Sequence, residues 1–284
     1  MNKPRSALIT GASTGIGQAL ALHLDRLGWR VFAGVRRKQD ADALRARSSG
    51  HLVPVMLDVA RPDTIEQARQ RVHENTQGHL HALINNAGIA FSGPLETTPP
   101  DQVHALFQVN VLGTFAVTQA FLPMLREARG RIVNMSSVSG LFAAPGLTAY
   151  AASKFAIEGM TESLRVELAP QHIKVISIAP GKIDTPIWDK ARHMNAEISE
   201  AMPPAMKAIY GPLLSFYDSY ADTEAGTPVG VLTDAVMHAL TSQNPDARYV
   251  IGHSAKLRTW LNSLPVAWRD GLVLRKMRGA RQLA

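Results

Sequence analysis

The stretch from Ser6 to Gly28 constrains the chain most. An apolar run from Ser6 to Thr10 meets the turn Thr10-Gly11-Ala12-Ser13-Thr14-Gly15-Ile16-Gly17, and an apolar segment with helical spacing follows from Gln18 to Leu27, closed by Gly28. Strand, glycine-rich turn and helix in that order let backbone N–H groups and a helix N-terminus face a pyrophosphate, with glycine where a side chain would block close approach. The competing reading is a tight turn whose glycines supply only positive φ. The alternation continues along the chain. Apolar runs at Trp29–Val35, Leu52–Leu57, Ala82–Ile84, Arg131–Met135 and Lys174–Ile178 are separated by helical patterns such as Pro62–Asn75, Asp101–Arg126 and Ala149–Pro170. Strands alternating with helices build right-handed crossovers, so the expected fold is α/β with a parallel sheet.

The chain has 284 residues, of which 46% are hydrophobic and 19% charged, as expected of a globular protein. It contains no cysteine, which excludes disulfides, thiolate nucleophiles and Cys-bound zinc, and suits a cytoplasmic setting. His79 and His81 form an H-x-H without a third ligand nearby, so no metal site is expected. No signal-peptide pattern opens the chain and no run approaches 18 uninterrupted apolar residues, so no membrane span is expected. The net charge of +7 comes without a long basic tract and with only 6% aromatics, which argues against a nucleic-acid partner. A phosphate-bearing ligand or an anionic surface accounts for the excess equally well.

Ligands of open α/β sheets bind at the carboxyl ends of the strands, and the distinctive residues lie there. After the second run, where an NAD site places an acid, stand Val35, Arg36, Arg37 and Lys38. Their guanidinium forks suit a 2′-phosphate, which favours NADP and leaves NAD as the alternative; a solubilising basic loop is the bland reading. Asp58 and Val59 end the third run, where Asp58 either accepts from an adenine amine or caps a loop. Asn85, Asn86, Ala87 and Gly88 follow the fourth run with residues small enough to let backbone lie against a cofactor. Asn110 sits among apolar helical neighbours and must be bonded there, either stitching core backbone or holding a water. Tyr150 and Lys154 share a helix face by their i, i+4 spacing, so the ammonium would lower the phenol's pKa and make Tyr150 a general acid or base.

Read together, TGxxxGIG at residues 10–17, NNAG at 85–88, Asn110, Ser137 thirteen before the YxxxK of Tyr150 and Lys154, and PGxIxT at 180–185 resemble the short-chain dehydrogenase/reductase family. The match covers roughly residues 5 to 190, and the segment Ala247 to Gly252 with Leu264-Pro265 is similar to its retinol and hydroxysteroid branch. The resemblance implies a doubly wound parallel sheet (Rossmann, three-layer αβα) of seven strands in the order 3-2-1-4-5-6-7. It implies a tetrad of Asn110, Ser137, Tyr150 and Lys154 around NAD(P). In that reading Ser137 holds the substrate oxygen, Tyr150 exchanges its proton, and Lys154 lowers the phenol's pKa and donates to the nicotinamide ribose. Asn110 fixes a water behind Lys154. Gly11, Ser13, Thr14, Gly15, Ile16 and Gly17 would cradle the phosphates, and Pro180, Gly181, Ile183 and Thr185 would close over the nicotinamide. The family also pairs through the helices that carry Asn110 and Tyr150, so a homodimer or homotetramer is expected.

A single domain is expected across 1–284, with a cofactor and catalytic core at 5–185, a helical substrate lid at 186–225 and a last helix, strand and basic tail at 226–284. The lid is rich in Trp188, Met194, Met202, Leu213, Leu214, Phe216, Tyr217 and Tyr220, too apolar for a free linker. A dimer contact is its alternative reading. With Leu141 and its apolar neighbours, Ser137 and Tyr150 would face a bulky apolar ketone, aldehyde, or secondary or allylic alcohol. The rival from another class is a dinucleotide-binding redox sensor or scaffold without turnover. From Leu264 to Ala284, Val266, Trp268, Leu272, Val273, Leu274 and Met277 alternate with Arg269, Arg275, Lys276, Arg278 and Arg281. This tail either packs on the protein itself or makes peripheral contact with an anionic membrane.

Overall fold

The computed structural model describes residues 4–185, 195–196, 200, 202–223 and 225–280. Seven strands, β1 (Ser6–Ile9), β2 (Arg30–Val35), β3 (Leu52–Met56), β4 (Ala82–Asn85), β5 (Arg131–Met135), β6 (Lys174–Pro180) and β7 (Arg248–Ile251), form one parallel sheet in the order β3-β2-β1-β4-β5-β6-β7. The expected fold and strand order are therefore present. Every residue of β1 and β4 is buried, because crossover helices cover both faces of a parallel sheet and leave no face for polar side chains.

The period of two within each strand divides the core. Ala7 and Ile9 of β1 join Leu20, Leu24, Leu232 and Val236 on one face, where α1 (Gly15–Arg26), α2 (Lys38–Arg47) and α8 (Val229–Thr241) pack. Leu8 joins Phe32, Ile65, Val72, Val117 and Phe121 on the other face, covered by α3 (Pro62–Thr76), α5 (Gly113–Ala128) and α6 (Thr148–Glu167). Further helices among the described residues are α4 (Pro100–Phe107), α7 (Pro204–Thr223), α9 (His253–Leu261) and α10 (Val266–Ala280).

Two helical patterns differ from the sequence reading in detail. The run expected over Asp101–Arg126 is helical from Pro100 to Ala128, but a π-helical segment, Gln108–Leu112, interrupts it between α4 and α5. The whole run is long and apolar enough to cross a membrane, yet Val117, Phe121, Met124 and Leu125 are buried in the core, as in a core helix of a Rossmann layer. The helix expected over Ala149–Pro170 ends at Glu167, and a 3-10 turn, Ala169–Gln171, follows because Pro170 cannot donate to a continuing helix. Within the lid region expected over 186–225, residues 204–223 are helical, whereas Trp188 and Met194 lie outside the described residues.

Candidate active site

Strand order reverses between β1 and β4, and the crevice at the carboxyl ends of the strands is a cavity of about 720 Å³. The turn after β1 lines one end with Gly11, Ser13, Thr14, Gly15 and Ile16. Arg36, Asp58 and Val59 stand at the ends of β2 and β3. Ala87 and Gly88 form the middle wall, and Ser137, Tyr150 and Lys154 face it with Pro180, Gly181, Ile183 and Thr185.

The glycines of the first turn answer to contacts within the protein as well as to space for a ligand. Gly11 has φ +65°, and a Cβ there would lie 2.8 Å from the Ala87 Cα. Gly17 is off the cavity wall; its Cβ would lie 2.4 Å from the Gly11 carbonyl oxygen and 2.5 Å from the Asn86 side-chain nitrogen. It is thus the packing glycine that lets α1 sit against the turn, while Gly11 and Gly15 form the surface. Asn86 holds the turn from the far side, its Nδ2 donating to the carbonyls of Thr10 and Gly11, and its backbone N–H donating to the Thr10 hydroxyl. The amino end of α1 therefore opens on the cavity in a fixed position, a donor arrangement suited to phosphate oxygens.

Two further polar groups on the wall are open to a ligand. The Thr185 hydroxyl is buried without a partner among the described residues. The guanidinium of Arg36 makes no hydrogen bond or ion pair there and is exposed beside Val35 at the carboxyl end of β2. Arg37 behaves differently. Its Nε and Nη2 bond both carboxylate oxygens of Asp40 at 3.0 and 3.1 Å, and it is absent from the wall, so of the two expected arginines only Arg36 faces the cavity. The cause is local: Arg37 precedes α2, and Asp40 lies in that helix's first turn within reach of it.

At the other end, α6 brings Tyr150 and Lys154 to one face. The Lys154 Nζ lies 5.8 Å from the Tyr150 ring centroid and donates to the Met135 carbonyl oxygen at 2.8 Å. Ser137 begins the turn after β5; its Oγ accepts from the Ser139 N–H at 3.1 Å and donates toward the Pro180 carbonyl at 3.4 Å. Burial raises the Tyr150 pKa, and the Ser137 hydroxyl beside it pulls the other way without winning. Burial lowers Lys154 to about 8, with the carboxylate of Glu158 one turn away opposing the shift. Enclosure governs both groups in this arrangement, and the ammonium is turned to the Met135 carbonyl.

Asn110 makes the bonds of the stitching reading. Its Oδ1 accepts from the Ile89 N–H at 2.8 Å, and its Nδ2 donates to the Ile89 carbonyl at 2.9 Å and to the Ser153 hydroxyl at 3.1 Å. The Ser153 hydroxyl in turn donates to the Tyr150 carbonyl. Asn110 is a stitch that joins the π-helical segment, the cavity wall at Ile89 and the start of α6. A π-bulge inserts an extra residue into a helical turn, and here it lies at the residue that makes this stitch.

Two other expected residues lie away from the wall. Asn85 is buried, donating to Thr118 Oγ1 and Asn134 Oδ1, while Asn134 donates to Thr161; this chain ties β4 and β5 to α5 and α6. Leu141 is buried but does not line the cavity. Its apolar neighbour Leu147 does line it, and so do the segment 89–94 and Arg258, which were not singled out. The position of 89–94 directly after β4 was the available signal, whereas nothing in the chain marks Arg258, which arrives from a helix some hundred residues beyond the tyrosine.

A glycine-rich turn on a helix N-terminus, joined by one cavity to a serine, a tyrosine and a lysine, defines a dinucleotide-dependent oxidoreductase architecture. The family model described as short chain dehydrogenase matches residues 5–196, and the chain belongs to that family. It is 36% identical to retinol dehydrogenase 5 of Mus musculus over 89% of this chain and 82% of that protein. It is also 36% identical to 17-beta-hydroxysteroid dehydrogenase type 6 of Bos taurus, over 94% and 87%. Among solved structures it is similar to a short chain dehydrogenase from Burkholderia cenocepacia J2315 in complex with NADP, with a TM-score of 0.73 and 30% identity, over 96% of this chain and 98% of that one.

Proposed function

We propose that this oxidoreductase prefers NADP(H) and interconverts apolar ketones or aldehydes with secondary or allylic alcohols of steroid, retinoid or lipid character. The observation that carries the cofactor preference is Arg36, without a partner among the described residues, on the wall beside Val35, where an acid would serve a ribose 2′-hydroxyl. The neighbour from Burkholderia cenocepacia, bound to NADP, supports it. Gly11 on the wall, the N-terminus of α1, the Thr185 hydroxyl and Arg36 are fitted to hold the dinucleotide, and Asp58 and Val59 would lie beside its adenine.

The cofactor, when bound, supplies or accepts the hydride. The chain's residues supply the rest. In the reductive direction the Ser137 hydroxyl donates to the substrate carbonyl oxygen and Tyr150 passes its phenolic proton to that oxygen as charge develops on it. A raised Tyr150 pKa keeps the phenol protonated at neutral pH, ready to donate. Lys154, held by the Met135 carbonyl, keeps its ammonium 5.8 Å from the Tyr150 ring centroid, from where it would donate to the nicotinamide ribose. Asn110 holds Ile89 and the first turn of α6 in place. The apolar residues Phe91, Leu147, Met202, Leu213 and Leu214 on the cavity wall favour a bulky hydrocarbon. The names of the mouse and bovine relatives, a retinol and a hydroxysteroid dehydrogenase, support the same class.

Self-association fits the outer face formed by Leu112, Phe115 and Phe155, all exposed on the π-helical segment, α5 and α6. The test of the substrate and cofactor reading is consumption of NADPH and of NADH against steroid, retinoid, aliphatic and aromatic carbonyls. Turnover is expected with NADPH and the bulky apolar members. Turnover confined to small polar carbonyls, or equal use of the two cofactors, refutes the respective half.

A further inference from the structure

The carboxyl end of the chain holds almost all of its excess positive charge. Residues 253–284 contain seven of the 30 lysines and arginines and one of the 23 acids; the remaining 252 residues are close to neutral, with 23 cations and 22 acids. The same segment concentrates exposed apolar surface. Leu257 and Trp260 of α9 and Val266, Trp268, Leu272 and Leu274 in α10 are all exposed, with Trp260 and Trp268 at 60% and 70%. Single exposed apolar residues are ordinary, but two exposed tryptophans and four exposed aliphatic residues within 18 residues of chain are a concentration of apolar surface.

This surface is what remains exposed after the tail has packed on the protein. Helix α10 lies against α7, and its half-buried residues Arg269, Val273 and Met277 recur at intervals of four along one stripe. Trp268, Leu272 and Arg275 recur at i, i+4 and i+7 on another stripe, and all three are exposed. One side of the helix is therefore turned to the body, and Trp268, Leu272 and Arg275 share a side turned to solvent, with Lys276 and Arg278 exposed as well. Packing on the body, the plainer reading of the tail, accounts for the first side only.

We infer that the exposed face of α9 and α10 docks on an anionic lipid bilayer, beside the mouth of the active-site cavity. Tryptophan rings suit the headgroup region, where an apolar body and a polar N–H both find partners, and long basic side chains keep their charge among lipid phosphates while their stems lie on the apolar surface. A second copy of the chain is the poorer occupant, since a two-fold pairing of this face would set six net positive charges against six more. The site is also placed for delivery. Arg258 of α9 lines the cavity, and so do Leu213 and Leu214 of α7, the helix on which α10 rests. A substrate dissolved in the bilayer would then meet the apolar residues of the cavity wall without crossing water. That consequence rests on the substrate reading above; the docking itself does not.

The test is co-sedimentation of the full chain with phosphatidylcholine vesicles prepared with and without phosphatidylserine, at low and physiological salt. It is accompanied by the emission wavelength of tryptophan. Each cation near an anionic surface contributes roughly fivefold to partitioning. The charge-reversed variant Arg275→Glu/Lys276→Glu is therefore expected to bind anionic vesicles about thirtyfold or more weakly, and Trp260→Ser/Trp268→Ser to lose the blue shift that vesicles induce. All four residues are exposed, so both variants are expected to keep the unfolding temperature and the turnover of a water-soluble carbonyl. Vesicle binding that needs phosphatidylserine, falls with salt and is lost in both variants establishes the docking face. Absence of binding at low salt, binding that neither variant weakens, or a Trp260→Ser/Trp268→Ser variant that changes only the protein's own oligomeric state overturns it. Failure of the carbonyl screen would leave vesicle binding, tryptophan emission and the unfolding temperature unaffected, so the two readings fail separately.

Discussion

Replacing Asn110 by alanine separates two accounts of that residue. Its side chain is 2% exposed and makes three hydrogen bonds, to both polar groups of the Ile89 peptide at 2.8 and 2.9 Å and to Ser153 at 3.1 Å. A net contribution of about 1 kcal/mol per bond, together with desolvated partners left unpaired, gives a loss of about 2–4 kcal/mol for Asn110→Ala. For a chain of this size that corresponds to a fall in Tm of roughly 5–10 °C. Because Ile89 lies on the cavity wall, KM for substrate and cofactor should rise as the wall loosens. The assay is thermal unfolding by circular dichroism beside steady-state kinetics. A residue whose task is only to hold a water for proton transfer would instead lower kcat with the unfolding temperature intact. A fall in Tm below about 2 °C, accompanied by a large loss of kcat, would refute the stitching argument.

Tyr150→Phe removes one proton donor and almost no volume, so turnover should vanish while cofactor affinity, read by fluorescence titration, stays within a few-fold; a wild-type rate would remove Tyr150 from the chemistry. Arg36→Ala should weaken NADPH by about ten- to a hundredfold, the worth of charge-assisted bonds to a phosphate, and leave NADH nearly unchanged. Equal losses for both would make Arg36 structural. Lys154 has its pKa lowered to about 8 by burial, so it is a cation below that value and neutral above it. A polyanionic dinucleotide prefers the cation, so NADPH affinity should be level below pH 8 and weaken by up to about tenfold per unit above it, while Lys154→Met should show no such break. A pH-independent affinity in the unsubstituted enzyme would contradict a role for Lys154 in binding.

What the sequence by itself determined is whatever depends on neighbours along the chain. The alternation of strand and helix patterns, the glycines of residues 11–17 and the i, i+4 placement of Tyr150 and Lys154 are local facts, and each is repeated in the structure. From them follow the parallel sheet and the end of it where the cavity opens, because crossover handedness leaves few topologies. The division of labour between similar adjacent residues was decided elsewhere. Arg36 and Arg37 read alike until Asp40 engages one of them. Asn85 and Asn86 read alike until the pleat sends one into the Thr118 and Asn134 network and turns the other to the glycine-rich turn. Likewise, Asn110 bonding Ile89, Lys154 turning to Met135, and Arg258 reaching the cavity all join residues far apart in the chain. Only the tertiary structure decided these, since a hydrogen-bond partner brought by another strand or helix leaves no periodicity, and burial, which sets the pKa of both Tyr150 and Lys154, is a property of everything packed around them.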